Sequence, residues 1–322
     1  MLFSQSQPSI SVIIPVRNEA TKIRSCIEGI LAQSVPVKEI IVIDSGSTDG
    51  TVEILRGYPQ VKLIEIPGKE FNHGDTRNLG VRNATGDYCL LTVGDARPAE
   101  IDWIKKMLEG FTDDKVAAVC GQQVVPHDTD KNPVEWFRPV SAATVKRYEF
   151  TTAEFEQLTP QQRKEACAWD DVSALYRRDV LLNIPFRRII YGEDALWAKD
   201  ALLAGYAIVY TTHARVYHYH LVDDNFTFKR TLTTLYFRYR HFGHIPPPQT
   251  FTIRKKLSVL KLLFTSENIP VRDAWKWWNY NLRNGRAWNR AYHLFNDALK
   301  VNEQELDRLY QQHCGQPPIP VK

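Results

Sequence analysis

This 322-residue sequence predicts an α/β fold: a mostly parallel, Rossmann-like sheet flanked by helices, followed by a helical C-terminal appendage. Three observations predict it. Apolar runs recur at Ile10–Pro15, Glu39–Asp44, Val61–Ile66, Tyr88–Thr92 and Val116–Cys120, with helical patterns between the early ones. That alternation is how parallel strands joined by right-handed crossovers read in sequence. The first two runs pass directly into polar loops, SVIIPVRNE over 11–19 and IIVIDSGSTDG over 40–50. Ligands of an open α/β sheet bind beyond the carboxyl ends of its strands, so Asn18, Glu19, Asp44 and Ser45 converge on one crevice. The third is composition: 43% apolar and 24% charged residues are ordinary for a globular chain and too apolar for wholesale disorder. A polar, acid-rich crevice of this kind suits an enzyme better than a scaffold.

The elements follow in order. Thr21–Ser34 places Ile23, Ile27, Ile30 and Leu31 on one helical face. Asp49–Leu55 begins on a capping residue and ends near Gly57 and Pro59. Asp75–Thr85 is a helix stopped by Gly86, and Ala99–Phe111 is one started by Pro98. Residues 122–170 are irregular, with a helix expected around Pro139–Tyr148. Regular patterns return at Ser173–Tyr176 and Arg178–Leu182, then in a helix over Asp194–Ala204. Ala207–Thr211 and Val216–His220 read as two strands, and Phe226–Phe242 as a long basic helix. Pro246-Pro-Pro248 is the strongest punctuation, so the division is placed at 245/246.

The +4 net charge is uneven. Residues 246–322 hold 12 Lys or Arg against 6 Asp or Glu, a net of +6, which leaves −2 for residues 1–245. Four of the eight tryptophans (Trp275, Trp277, Trp278 and Trp288) also lie in that tail. A basic, Trp-rich segment either meets an anionic surface such as lipid headgroups or packs its indoles on the main domain. The odd count of five cysteines with no C-x-x-C pair points to free thiols in a reducing compartment. No signal-peptide core and no membrane-length apolar run is visible. The expected location is cytoplasmic, with peripheral contact to the inner face of the cytoplasmic membrane through 246–322.

Four further segments carry chemistry. In LLTVGDARP (90–98), Asp95 ends an apolar strand, where a carboxylate either caps the following helix or holds a hard divalent cation. In KEFNHGDTRN (69–78), Arg77 opens a helix, as a phosphate-pairing guanidinium or a plain surface arginine. Glu193 and Asp194 start another helix, as simple caps or as the place of a general base. His218 and His220 alternate on a strand and so share a face, either as ligands of a metal or phosphate or as a structural pair. In the irregular middle, Trp136, Trp169 and Asp170 are candidates for contacting a sugar acceptor.

Taken in order and spacing, these segments resemble the family 2 inverting glycosyltransferases of GT-A fold, over Ser9 to about Phe242. The segment FNHGDTRN and the D-A-x-P form of the acidic motif look most like the bacterial rhamnosyltransferases of that family. The resemblance implies a catalytic domain over 1–245, its nucleotide-sugar half about 1–121 and its acceptor half about 122–245. It implies that Pro15, Arg17 and Glu19 line the nucleoside pocket, that Asp44 contacts the base, and that Arg77 approaches base or diphosphate. Asp95 becomes the metal-binding acid, Asp194 the general base beside Glu193, and His218 or His220 the completion of the metal or diphosphate site. The family's acidic motif usually has two or three acids, whereas Asp95 is flanked by Gly94, Ala96 and Arg97. A Mg²⁺ or Mn²⁺ ion would therefore lean on substrate diphosphate, water and a histidine.

The implied function is transfer of a sugar, L-rhamnose first, from a dTDP- or UDP-linked donor to a growing cell-surface polysaccharide or lipid-linked glycan. The alternative is a non-catalytic nucleotide-sugar-binding subunit of a polysaccharide assembly complex. The absence of glycine from Pro15–Glu19, where a G-x-G-x-x-G turn belongs, speaks against a dinucleotide oxidoreductase. A nucleic-acid partner fits only the basic tail and is opposed by the net negative main domain, so none is expected.

Overall fold

Strands β1 (Ile10–Val16) and β2 (Glu39–Asp44) carry Ile or Val at most positions, and these are buried. Strands covered on both faces by helices read as near-continuous apolar runs. The computed structural model describes residues 8–128, 130–135, 143–247, 252–265 and 269–315. After β1 come α1 (Ile23–Leu31), β2, α2 (Thr51–Arg56), β3 (Val61–Glu65), α3 (His73–Asn83), β4 (Tyr88–Leu91), β5 (Arg97–Pro98) and α4 (Trp103–Leu108). Then follow β6 (Val116–Val124), β7 (Val145–Tyr148), α5 (Thr152–Gln157), α6 (Pro160–Ala166), β8 (Ala174–Arg177), α7 (Arg178–Asn183), α8 (Glu193–Leu203) and β9 (Ala207–Tyr217). The last helices are α9 (Asp224–Phe242), α10 (Ile253–Thr265), α11 (Val271–Val301) and α12 (Glu303–Cys314).

Among the described residues, nine strands form one sheet in the order β3-β2-β1-β4-β8-β6-β9-β5, with β7 paired to β9. β3, β2, β1 and β4 are mutually parallel; β8 enters antiparallel between β4 and β6, and β9 runs parallel to β6. The sheet is thus mostly parallel, as expected. Ile23, Cys26, Ile27 and Ile30 of α1 and Trp103, Ile104 and Met107 of α4 pack with the strands in one core. Trp103 satisfies its buried indole N–H by donating to Ser173 Oγ at 3.0 Å.

The chain divides into two compact units, one within 1–124, 140–158 and 165–218, the other within 125–139, 159–164 and 219–322. The first holds the sheet. In the second, Phe228, Leu232 and Leu235 of α9 pack with Ala291, Tyr292, Phe295 and Ala298 of α11 and Leu306, Leu309 and Tyr310 of α12. A smaller cluster joins Leu263 of α10 to Ala274 and Trp277 of α11. Two local expectations change. The described part of the helix expected over 139–148 is a strand, β7, because Val145–Tyr148 pairs antiparallel with Ile208–Thr211 of β9. The two strands expected at Ala207–Thr211 and Val216–His220 are one, β9, which ends at Tyr217 and so leaves His218 and His220 beyond the strand; its register against β6 shifts between Cys120 and Gln122. Such a shift re-aims the residues that follow it.

Candidate active site

The parallel register pairs Val16 with Asp44, so β1 and β2 end level and their loops leave side by side. The loops are tied together. Asn18, in the left-handed region at φ 55°, donates its N–H to Ser47 Oγ and accepts from the Thr48 N–H, both at 2.8 Å. Asn is among the few residues that enter that region readily. The Glu19 N–H donates to Thr51 Oγ1 at 2.8 Å. Asp44 is buried; its carboxylate accepts from the N–H groups of Gly46 and Ser47 at 2.9 Å each and from the Ser47 hydroxyl. Asp44 therefore builds its own loop. Pro15 and Glu19 are half-buried beside it, and Arg17 is exposed.

The acidic loop after β4 comes close to these two. A Cβ at Gly94 would stand 2.9 Å from Val16 Cγ1 and 3.1 Å from Glu19 Cγ, so any larger residue would push Asp95 away from the β1 loop. The Asp95 side chain is only 6% exposed. Lys22 Nζ lies 3.3 Å from its Oδ2, and His218 Nε2 3.4 Å from its Oδ1. The other ring nitrogen of His218 meets Gln123 Oε1 at 2.6 Å. One carboxylate and an imidazole whose second nitrogen is held by an oxygen form a donor set that fits a divalent cation. His220 lies two residues beyond His218, in the last segment of the second unit.

The other charged centre surrounds α3 and α8. Arg77 is 5% exposed, with Nε 3.1 Å from Asp171 Oδ2 and Nη1 2.5 Å from Glu193 Oε1. The Tyr176 hydroxyl donates to Asp171, and the Trp169 indole N–H donates to Tyr176 at 2.6 Å. Arg77 is thus neither a surface arginine nor open to the crevice: it sits among buried acids, which hold it charged despite its burial. Because Glu193 takes the guanidinium, Asp194 is left without that ion pair. Burial, and then the charges of Glu193, Asp171 and Asp170, push the Asp194 carboxyl well above the usual range. Burial also raises Asp171, against the pull of Arg77. Asp194 Oδ1 accepts from the Ala195 N–H at 2.7 Å. A half-buried acid with a raised proton affinity at a helix start has what a general base needs.

Of the acceptor candidates, Trp136 lies outside the described residues. Trp169 is 5% exposed and packs against Tyr176, Trp197 and Tyr210. Asp170 accepts from Gln123 Nε2 and from the Val172 N–H. Sequence reasoning passed over Lys22, Gln123, Asp171 and Tyr176. The adjacent acids Asp170-Asp171 were a visible signal; a lone glutamine on a strand was not.

The chain is similar to known proteins. A model of the family described as Glycosyl transferase family 2 matches residues 11–183. The O-antigen chain rhamnosyltransferase RfbN of Salmonella typhimurium is 33% identical over 233 residues, 70% of this chain and 71% of that protein. The O-antigen chain rhamnosyltransferase WbaN of Salmonella anatum is 30% identical over 235 residues, again 70% and 71%. Among solved structures, the mannosyltransferase PcManGT from Pyrobaculum calidifontis, in complex with GDP-Man and Mn²⁺, matches with a TM-score of 0.54 and 19% identity. That match covers 97% of this chain and 81% of that one, and it shows a shared fold.

Proposed function

The chain belongs to glycosyl transferase family 2 and is a glycosyltransferase; from that premise we propose that it transfers L-rhamnose, with inversion, from a dTDP-linked donor to a hydroxyl of a cell-surface or lipid-linked glycan. UDP is the second choice of nucleotide. The observation that carries the reading is Asp194, whose carboxyl is raised in pKa while the adjacent Glu193 takes the ion pair with Arg77. The rhamnosyl preference draws its support from the relatives at 33% and 30% identity.

In this mechanism Asp194 takes the proton of the acceptor hydroxyl. The hydroxyl oxygen forms the new bond to the anomeric carbon as the bond to the diphosphate oxygen breaks on the opposite face. Pro15, Arg17, Glu19 and Asp44 line the nucleoside end, and residues 122–245 supply the acceptor half of a catalytic region over 1–245. Arg77 acts from below, holding Glu193 away from the reacting hydroxyl. A divalent cation, Mn²⁺ or Mg²⁺, would be held by Asp95 and His218 with His220 as a further ligand. Such an ion neutralises charge developing on a departing diphosphate.

The test is release of nucleoside diphosphate from a panel of nucleotide sugars, with and without Mn²⁺ or Mg²⁺. Release from dTDP-rhamnose alone is the expected result; turnover confined to another sugar removes the rhamnosyl assignment, and binding without turnover of any donor removes Asp194 from the role of base.

Membrane contact is assigned to α10, within the region 246–322. Its apolar residues Ile253, Leu257, Leu260 and Phe264 recur at helical spacing, and Ile253, Leu257 and Phe264 are exposed. Phe264 meets Trp275 edge-on at 5.0 Å, and that indole is 53% exposed. Arg254, Lys255, Lys256 and Lys261 flank the stripe, and α10 holds no acid. An exposed apolar stripe with basic flanks suits an anionic lipid surface. Among the described residues no helix is long and apolar enough to cross a membrane. The full chain should sediment with phosphatidylglycerol vesicles and not with phosphatidylcholine ones. The double variant Leu257→Asp, Phe264→Asp should lose that binding; if it sediments as before, α10 is not the contact.

A further inference from the structure

We propose that Gln123 and Asp170 are positioning residues that fix which ring nitrogen of His218 faces Asp95. The inference starts from strand geometry. Beyond the register shift between β6 and β9, Gln123 pairs with Val216 and Val124 with Tyr217, and His218 follows directly on the end of β9. That brings Gln123 beside His218, whose Nδ1 lies 2.6 Å from Gln123 Oε1. The His218 backbone N–H donates to the Val124 carbonyl at 3.1 Å, which anchors the ring's stem.

An amide side chain can present either oxygen or NH₂, so Gln123 alone would fix nothing. Asp170 removes the choice. An ionised carboxylate only accepts hydrogen bonds, so it takes the amide NH₂ and leaves the oxygen for His218. An oxygen beside Nδ1 requires Nδ1 to carry the proton. In the neutral ring the lone pair then lies on Nε2, the atom 3.4 Å from Asp95 Oδ1. Asp170 is itself fixed, since its other oxygen accepts the Val172 N–H at 3.0 Å. The sequence carboxylate, amide, imidazole is thus a lock that keeps Nε2 ready to donate its lone pair beside Asp95. The same aspartate precedes Asp171, which pairs with Arg77, which pairs with Glu193. One chain of polar contacts in the first unit therefore runs from Asp95 to the residue next to Asp194.

This use of Nε2 toward a cation rests on the proposed role of Asp95 and His218 as ligands; the lock itself does not. The experiment separates the two. The ¹⁵N shifts of His218 are recorded on the full-length protein at about pH 8.5, above the ordinary imidazole range. Mn²⁺ affinity is measured alongside, by electron paramagnetic resonance without any donor sugar. The wild type should show a protonated Nδ1. Gln123→Leu should move the proton to Nε2 and weaken Mn²⁺ binding about 10- to 100-fold, the usual cost of losing the partner that orients a ligand histidine. Asp170→Asn, which lets the amide turn over, should give a mixture of the two tautomers with an intermediate affinity. A wild type protonated on Nε2, or a Gln123→Leu variant that keeps the proton on Nδ1, overturns the lock. A reversed tautomer with unchanged Mn²⁺ affinity overturns its bearing on the cation. A wild type with no Mn²⁺ affinity overturns the ligand assignment of Asp95 and His218 and leaves the tautomer data to decide the lock.

Discussion

Asp194 and Arg77 show how burial assigns chemistry to residues that look alike in sequence. Glu193 and Asp194 are neighbours on one helix start, yet only Glu193 lies against the Arg77 guanidinium. Asp194 has burial and three negative neighbours favouring its protonated form, and these outweigh the opposing charge of Arg77. The sign of the pH effect follows. A general base works deprotonated, and a raised pKa keeps its proton on as pH falls, so kcat should fail on the acid side well above about pH 4, the ordinary aspartate value. A kcat profile whose acid limb lies near pH 4 would exclude Asp194. Asp194→Asn should lower kcat by about 10²- to 10⁴-fold while donor affinity stays within twofold. Arg77→Ala leaves two buried acids without their cation, and breaking such a pair costs about 3–5 kcal/mol; a denaturant midpoint equal to that of the wild type would contradict the network. These residues were legible in part. The sequence placed Glu193 and Asp194 at a helix start, as α8 has them, whereas Asp95 lies in the loop beyond β4 and His218 just past the end of β9. It gave no sign that Arg77 turns inward, because that direction is set by Asp171, 94 positions away in the chain.

At the scale of elements, α3 depends on standing close to the sheet. Its N-terminus is capped by Asn72, whose side chain accepts from the N–H groups of Gly74 and Asp75, and Asn78 holds Phe186 through its amide at 2.8 and 3.0 Å. A Cβ on Gly80 would lie 2.4 Å from Ile13 Cγ2 and 3.1 Å from Ile43 Cδ1. Two effects oppose each other in Gly80→Ala. Alanine gains about 1 kcal/mol of helix propensity, but overpacking a dense core costs about 1–3 kcal/mol. Since Ile13 is fully buried in a central strand and cannot swing away, the clash should win. The variant should unfold at lower denaturant, and a gain in stability would show that α3 has room to move. Strand runs were the most legible elements, since continuous Ile and Val leave little choice. The short helices α5 and α6 were lost in a segment read as irregular, although Thr151 and Glu154 form a capping box that marks the start of α5. β7 was read as helix because its partner, β9, lies about 60 residues on, and edge pairing is invisible to local periodicity.

At the scale of the whole molecule, the proline run at 246–248 is strong punctuation, yet packing in the second unit passes across it. α9 ends at Phe242 and buries Phe228, Leu232 and Leu235 against helices that begin after the prolines. Tyr236 stacks on Tyr310 at 4.1 Å, and its hydroxyl donates to Asp307 at 2.7 Å. A chain ending at residue 245 would return those α9 side chains to water, at about 1.5–3 kcal/mol for each large apolar group. Three such groups approach the whole stability margin of an ordinary domain. Truncation at 245 should therefore yield aggregated or noncooperatively unfolding protein, whatever the tail does at a membrane. Loss of vesicle binding in that truncation would then report a damaged fold and not a missing anchor. Substitutions on the outward stripe of α10 avoid the difficulty, because Ile253 and Leu257 are exposed and take no part in the α9 core. The prediction is that Leu257→Asp leaves the thermal midpoint within about 2 °C, as expected of a surface change within about 0.5 kcal/mol. A monomeric chain 1–245 with a single cooperative transition would refute the dependence of α9 on the tail.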